Sequence, residues 1–177
     1  MQTAAEISLA YLRRSRTLFI GMIEDLSLEQ LNEVPEGFNN NIIWNMGHIL
    51  VSTLGLCYIR SQVKPALTLP FPGRFGKGTR PEVNATLEEV AEIKKLLVTS
   101  LDQIEADIQA GGFTKWQTCS TDTYQIPMDS VENTLVCCLA HENLHLGIAR
   151  AQKAVLKQAE AVKSAKMQDP EVALNSI

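Results

Sequence analysis

Hydrophobic positions recur at helical spacing in four long segments of the chain. The first runs roughly from Ala4 to Leu26. Ile7, Tyr11, Ser15, Leu18 and Met22 form one stripe, Leu12, Phe19 and Ile23 lie beside it, and Arg13, Arg14 and Arg16 fall mainly elsewhere. The second runs roughly from Asn41 to Gln62, with Asn39, Asn40 and Asn41 as candidate N-caps. Trp44, His48, Val51, Gly55 and Tyr58 share one of its faces. The third opens on the capping box Thr86-Leu-Glu-Glu89 and carries the stripe Leu87, Val90, Ile93, Leu97, Leu101, Ile104 and Ile108 until Gly111-Gly112 stops it. The fourth opens on Asp129-Ser-Val-Glu132, read as a second capping box, and runs to about Gln158.

The connections differ in character. Ser27-Leu-Glu-Gln30 starts a short turn or helix that Pro35 and Gly37 end. Residues 64–83 hold Pro65, Pro70, Pro72 and Pro81 with Gly73, Gly76 and Gly78, and show no helix or strand period. A loop of that length in a compact domain is usually functional, and it is expected to lie over one end of the helices and shape a pocket. Phe113 to Met128 is irregular, with room for an extended piece at Thr123–Ile126. The pattern therefore predicts an all-α fold: a four-helix bundle with a long loop between helices two and three. Residues 1–166 read as a single domain and 167–177, with Pro170, as a frayed tail.

Composition narrows the function more than the fold. The 177 residues suit one domain with a sizeable core, 45% are hydrophobic, and the net charge is −4. An acidic chain repels phosphate backbones, so no nucleic-acid partner is expected. The longest apolar stretch, Ile42–Ile59, is interrupted by Asn45, His48 and Ser52, and no membrane partner is expected. The chain opens with neither a basic segment nor an apolar run, which leads to the expectation of a cytoplasmic protein. Cys57, Cys119, Cys137 and Cys138 form neither a CxxC pair nor a disulfide spacing, and read as small apolar residues.

The three histidines carry the candidate chemistry. His141 and His145 are four apart in the fourth segment, which stacks them one turn apart on one face, where two imidazoles can share a metal. His48 lies mid-helix on the apolar face of the second segment. Alone it would read as a core histidine with a plain hydrogen-bond partner; together, all three histidines lie on inward helical faces. Three histidines leave open coordination positions, the pattern of catalytic rather than structural sites. Cys138, three residues before His141, is a candidate fourth ligand or a core residue. Gly47, Gly55 and Gly147 inside helices give either close packing or room for a ligand.

These residues carry a resemblance. Asn41-Ile-Ile-Trp-Asn-Met-Gly-His48-Ile-Leu, Phe75-Gly-Lys-Gly-Thr-Arg-Pro81 and His141-Glu-Asn-Leu-His145-Leu-Gly147 resemble the DinB/YfiT-like superfamily of metal-binding four-helix bundles over about residues 5–158. The resemblance maps the family's three metal histidines onto His48, His141 and His145. It implies one divalent transition metal ion, zinc or nickel first, with iron or manganese as alternatives. It further implies a metal-dependent thiol transferase or hydrolase acting on a small molecule such as a low-molecular-weight thiol. The alternative is a non-catalytic metal-binding or stress-related bundle. Family members often pair, which implies a homodimer.

No catalytic residue follows from the sequence. Glu142 projects about 100° from His141 on an ideal helix and reads as a solvated surface acid. Asn45, Tyr58, Thr134 and Gln152 are candidates for hydrogen bonds around the site. Arg74, Lys77 and Arg80 read as a solvated basic loop that could instead reach an anionic substrate. In the fourth segment Leu135, Leu139 and Leu146 form a stripe about 120° from the histidines, to be covered either by the first helix or the Phe113–Met128 segment, or by a second copy of the chain.

Overall fold

The computed structural model describes residues 1–65, 71 and 73–167. Its helices are α1 (Ala4–Met22), α2 (Leu28–Asn32), α3 (Ile42–Leu54), α4 (Leu87–Gln109) and α5 (Val131–Met167). A π-helical turn, Gly55–Ile59, continues α3 without a break. Among the described residues there is no strand, only an isolated antiparallel bridge between Cys119 and Met128. In place of the extended piece expected at Thr123–Ile126 there is a turn at 122–124 followed by irregular backbone, between the two bridging residues.

Local chemistry sets most helix starts. Thr3 with Glu6, Ser27 with Gln30, and Thr86 with Glu89 form reciprocal capping boxes, and the Asn41 side chain accepts from the Trp44 amide. At α5 the expected box is displaced by one residue. Ser130 is the cap and accepts from the Asn133 amide, while Asp129 accepts from the Asn133 side chain. Gly111 ends α4 with φ at +69°, a conformation that strains residues bearing a Cβ. α5 continues past Gln158 to Met167, the first residue of the expected tail; the rest of that tail lies outside the described residues.

α1 packs against α5 and α4, and α3 packs against the same two helices. The apolar stripe of α4 faces inward as expected from Val90 to Ile104, whereas Leu87 is exposed. In α1 the expected stripe is rotated. Ile7, Tyr11 and Leu18 are exposed, and the core face is Ala5, Leu9, Leu12, Arg16 and Phe19. The rotation has a polar cause: Arg16 is buried, where its guanidinium meets Glu142 of α5. The leucines Leu135 and Leu146 are buried within the chain and Leu139 packs against the same core, in keeping with the extensive packing of α1 along α5.

α3 with its π-helical continuation is the one described helix long and apolar enough to cross a membrane, and it is mostly buried against the other helices.

Candidate metal centre

α3 delivers His48, and α5 delivers His141 and His145 one turn apart. Their candidate ligand nitrogens lie within 4.8 Å of one another. Ring centroids are 5.2 Å apart for His48 and His141, 4.7 Å for His48 and His145, and 4.6 Å for His141 and His145. All three sequence-expected histidines are therefore brought to one place.

Two of the rings are oriented by acceptors behind them. His48 Nδ1 donates to the Phe75 carbonyl at 2.8 Å, and His145 Nδ1 donates to Asn45 Oδ1 at 2.7 Å. A carbonyl oxygen can only accept, so each bond puts the proton on Nδ1 and leaves Nε2 unprotonated, with its lone pair available to an electrophile. Asn45 is itself fixed: its amide donates to Gln152 Oε1 at 3.0 Å and to the Asn41 carbonyl at 2.9 Å. Gln152 donates onward to the Asn40 carbonyl at 2.7 Å. Trp44 stacks on His48 at 4.6 Å with 10° between the rings, and its indole N–H donates to Thr79.

The donor set fits a divalent metal. His141 Nε2 and His145 Nε2 are 3.1 Å apart, close to the edge of about 3.4 Å expected for a tetrahedron with bonds of about 2.0–2.1 Å. Two imidazole lone pairs at that separation repel unless a proton or a cation lies between them. His141 Nδ1 is the one buried side-chain nitrogen or oxygen without a hydrogen-bond partner among the described residues. Burial pushes the His48 pKa down. Burial first, then the charge of the neighbouring imidazoles, lowers His141 to about 4 and His145 to about 3. All three rings are thus neutral near pH 7, the form that binds a metal.

The site opens into a cavity of about 690 Å³. Its walls include all three histidines, Ser52, Gly55, Arg60, Lys77, Asp122 and Leu144. The described part of the 64–83 loop reaches this cavity through Gly76 and Lys77, and Phe75 backs His48. Gly47 is needed for that contact: a Cβ there would lie 2.4 Å from Phe75 Cγ. Gly55 lines the cavity, while a Cβ on Gly147 would meet nothing within 4 Å.

Other residues weighed for the site lie elsewhere. Glu142 is not a surface acid; it is 1% exposed and receives Arg16 in a bidentate ion pair with bonds of 2.6 Å and 3.0 Å. Thr53 donates to the same carboxylate, and Ser100 and the Leu97 carbonyl accept from Arg16. Cys138 is fully buried in the core and is not part of the histidine cluster. Tyr58 is turned to α4, donating to Asp107 at 2.6 Å. Thr134 donates to the Ser130 carbonyl. Arg74 pairs with Glu89. The sequence reading missed Ser52, one turn after His48, whose hydroxyl is 3.3 Å from Nε2; the i, i+4 spacing could have found it. It also missed the Phe75 carbonyl, since a backbone acceptor leaves no mark in the sequence.

The DinB superfamily sequence pattern matches residues 11–149, a span that includes all three histidines and the residues that orient them. The chain belongs to the DinB superfamily. A comparison with curated proteins found no match. The superfamily assignment agrees with the resemblance carried by the His48, Phe75 and His141 segments.

Proposed function

We propose that this DinB-superfamily protein binds one divalent transition metal ion through His48, His141 and His145 and acts on a small molecule in the adjoining cavity. The reading takes residues 1–166 as one four-helix bundle domain, cytoplasmic and paired as a homodimer. Zinc or nickel is the first choice of ion, with iron and manganese as the alternatives; imidazole suits zinc, nickel and iron alike, so geometry and availability decide among them. The observation that carries it is the fixed tautomer of two rings. Phe75 and Asn45 hold Nδ1–H of His48 and His145, so both Nε2 atoms are unprotonated and able to bind a metal beside His141.

An ion held there would act as a Lewis acid and lower the pKa of a bound water or thiol. This supports a thiol transferase or a hydrolase. The chain's own residues orient the rings and keep the Glu142 carboxylate engaged with Arg16, away from the cluster. The test is elemental analysis of protein purified without a histidine tag. About one ion per chain is expected, lost in His141→Ala and in His145→Ala. Full metal retention in both variants would sink the assignment. Turnover of an electrophilic acceptor by a thiol then separates an enzyme from a non-catalytic metal-binding bundle. Sedimentation of the wild type checks the dimer, and a monomer at micromolar concentration rejects it.

A further inference from the structure

The cavity beside the histidines has a charge character opposite to that of the chain. Its described charged walls are Arg60, Lys77 and Asp122, two cations against one anion, in a protein of net charge −4. Lys77 and Asp122 pair across the mouth, but both are largely exposed, so the pair is weak and readily exchanged. Arg60 differs from Arg13, Arg16 and Arg74, each of which meets a carboxylate. Its carbonyl accepts from the Gln117 amide at 2.8 Å, and the residue lines the cavity.

The π-helical turn explains how Arg60 comes to face this cavity. It follows His48 by twelve residues on one continuous helix. An uninterrupted α-helix would put it about 120° away around the axis. A π-helical turn absorbs one extra residue, a rotation of about 100°, and brings Arg60 to within about 20° of His48. The same turn carries Tyr58 off the histidine face to Asp107. Along the axis the twelve residues, one of them absorbed by the turn, span roughly 16 Å, so a molecule touching both ends is elongated. Between those ends Val51, Leu56, Ile59 and Leu144 give the cavity an apolar wall.

We infer that Arg60 is an anion-binding residue of this cavity and that the cavity takes an elongated organic anion, an apolar body with a carboxylate at the end remote from the histidines. Lys77 supplies a second cation by exchanging Asp122 for the ligand. The inference rests on the reading of this cavity as the substrate site, and it names the ligand's charge and shape.

Octanoate and octanamide have the same length and differ in charge. They are titrated by calorimetry into zinc-loaded and metal-free protein, as wild type, Arg60→Gln and Arg60→Lys, with zinc content measured and folding checked by melting. Octanoate is expected to bind the wild type about tenfold or more tightly than octanamide in both metal states. Arg60→Gln removes that preference and Arg60→Lys keeps part of it. Equal binding of the two probes, no octanoate binding at millimolar concentration, or a preference that survives Arg60→Gln overturns the inference. So does an equal loss of both probes in Arg60→Gln, which marks a structural role. Octanoate binding that requires zinc but not Arg60 puts the carboxylate on the ion and also overturns it. A wild type that takes up no zinc rejects zinc as the ion instead, and the metal-free titrations still decide the role of Arg60.

Discussion

Asn45 Oδ1 accepts the Nδ1 proton of His145 across 2.7 Å, joining α3 to α5 at the centre of the histidine cluster. Asn45 cannot rotate freely, because its amide nitrogen is held by Gln152 and the Asn41 carbonyl. Acceptors behind metal-ligating histidines fix the tautomer and typically contribute 10–100-fold in affinity, a magnitude of about one to two decades. Asn45→Ala is therefore expected to weaken zinc binding by about 10–100-fold with all three histidines in place. Chelator competition measures it; unchanged affinity would show that the bond does not orient His145.

The Arg16–Glu142 pair predicts a stability pattern. Both side chains are 1% exposed. Removing one partner leaves a buried charge, which costs about 3–5 kcal/mol, whereas replacing both by apolar residues is often neutral. Arg16→Met and Glu142→Leu should each lower the urea midpoint strongly, and the double variant should recover most of the loss. Additive losses in the double variant would mean that the charges are not energetically coupled.

Metal-free protein should lose stability on mild acidification. An unfolded histidine titrates near 6.5, whereas folding lowers His141 to about 4 and His145 to about 3, chiefly by burial. Between those values the unfolded chain binds protons that the folded chain does not, so stability is full above about pH 6.5 and falls as pH drops toward the folded values. The fall in urea midpoint from about pH 7 to about pH 5 should be smaller in His141→Gln/His145→Gln than in the wild type. Equal slopes would assign the acid sensitivity to other groups.

Gly47 and Gly147 should respond in opposite directions to alanine. At Gly47 the new Cβ falls 2.4 Å from the Phe75 ring, so Phe75 must move and its carbonyl with it. Overpacking of this kind costs about 1–3 kcal/mol, and weaker zinc binding should accompany it through His48. At Gly147 the Cβ meets nothing, and the gain in helix propensity is up to about 1 kcal/mol. Thermal melts and zinc titration of the two variants check both; a neutral Gly47→Ala would show that Phe75 adjusts without cost.

What the sequence determined is the geometry along each helix. Rotation of about 100° per residue is a local property, so the pairing of His141 with His145 and the turning of Glu142 away from them followed from spacing alone. Caps acting over three residues were equally legible at Asn41 and Thr86. The tertiary structure decided which arc of each helix is inside. Glu142 points where expected, yet that direction is interior because α1 lies there and brings Arg16. The same α1 packs along α5, where Leu135 and Leu146 are buried, and leaves Ile7 and Tyr11 exposed. Ring tautomers and the placing of Arg60 were also decided at this level. The Phe75 carbonyl and the π-helical turn are backbone features, and periodicity of side-chain type carries no record of them.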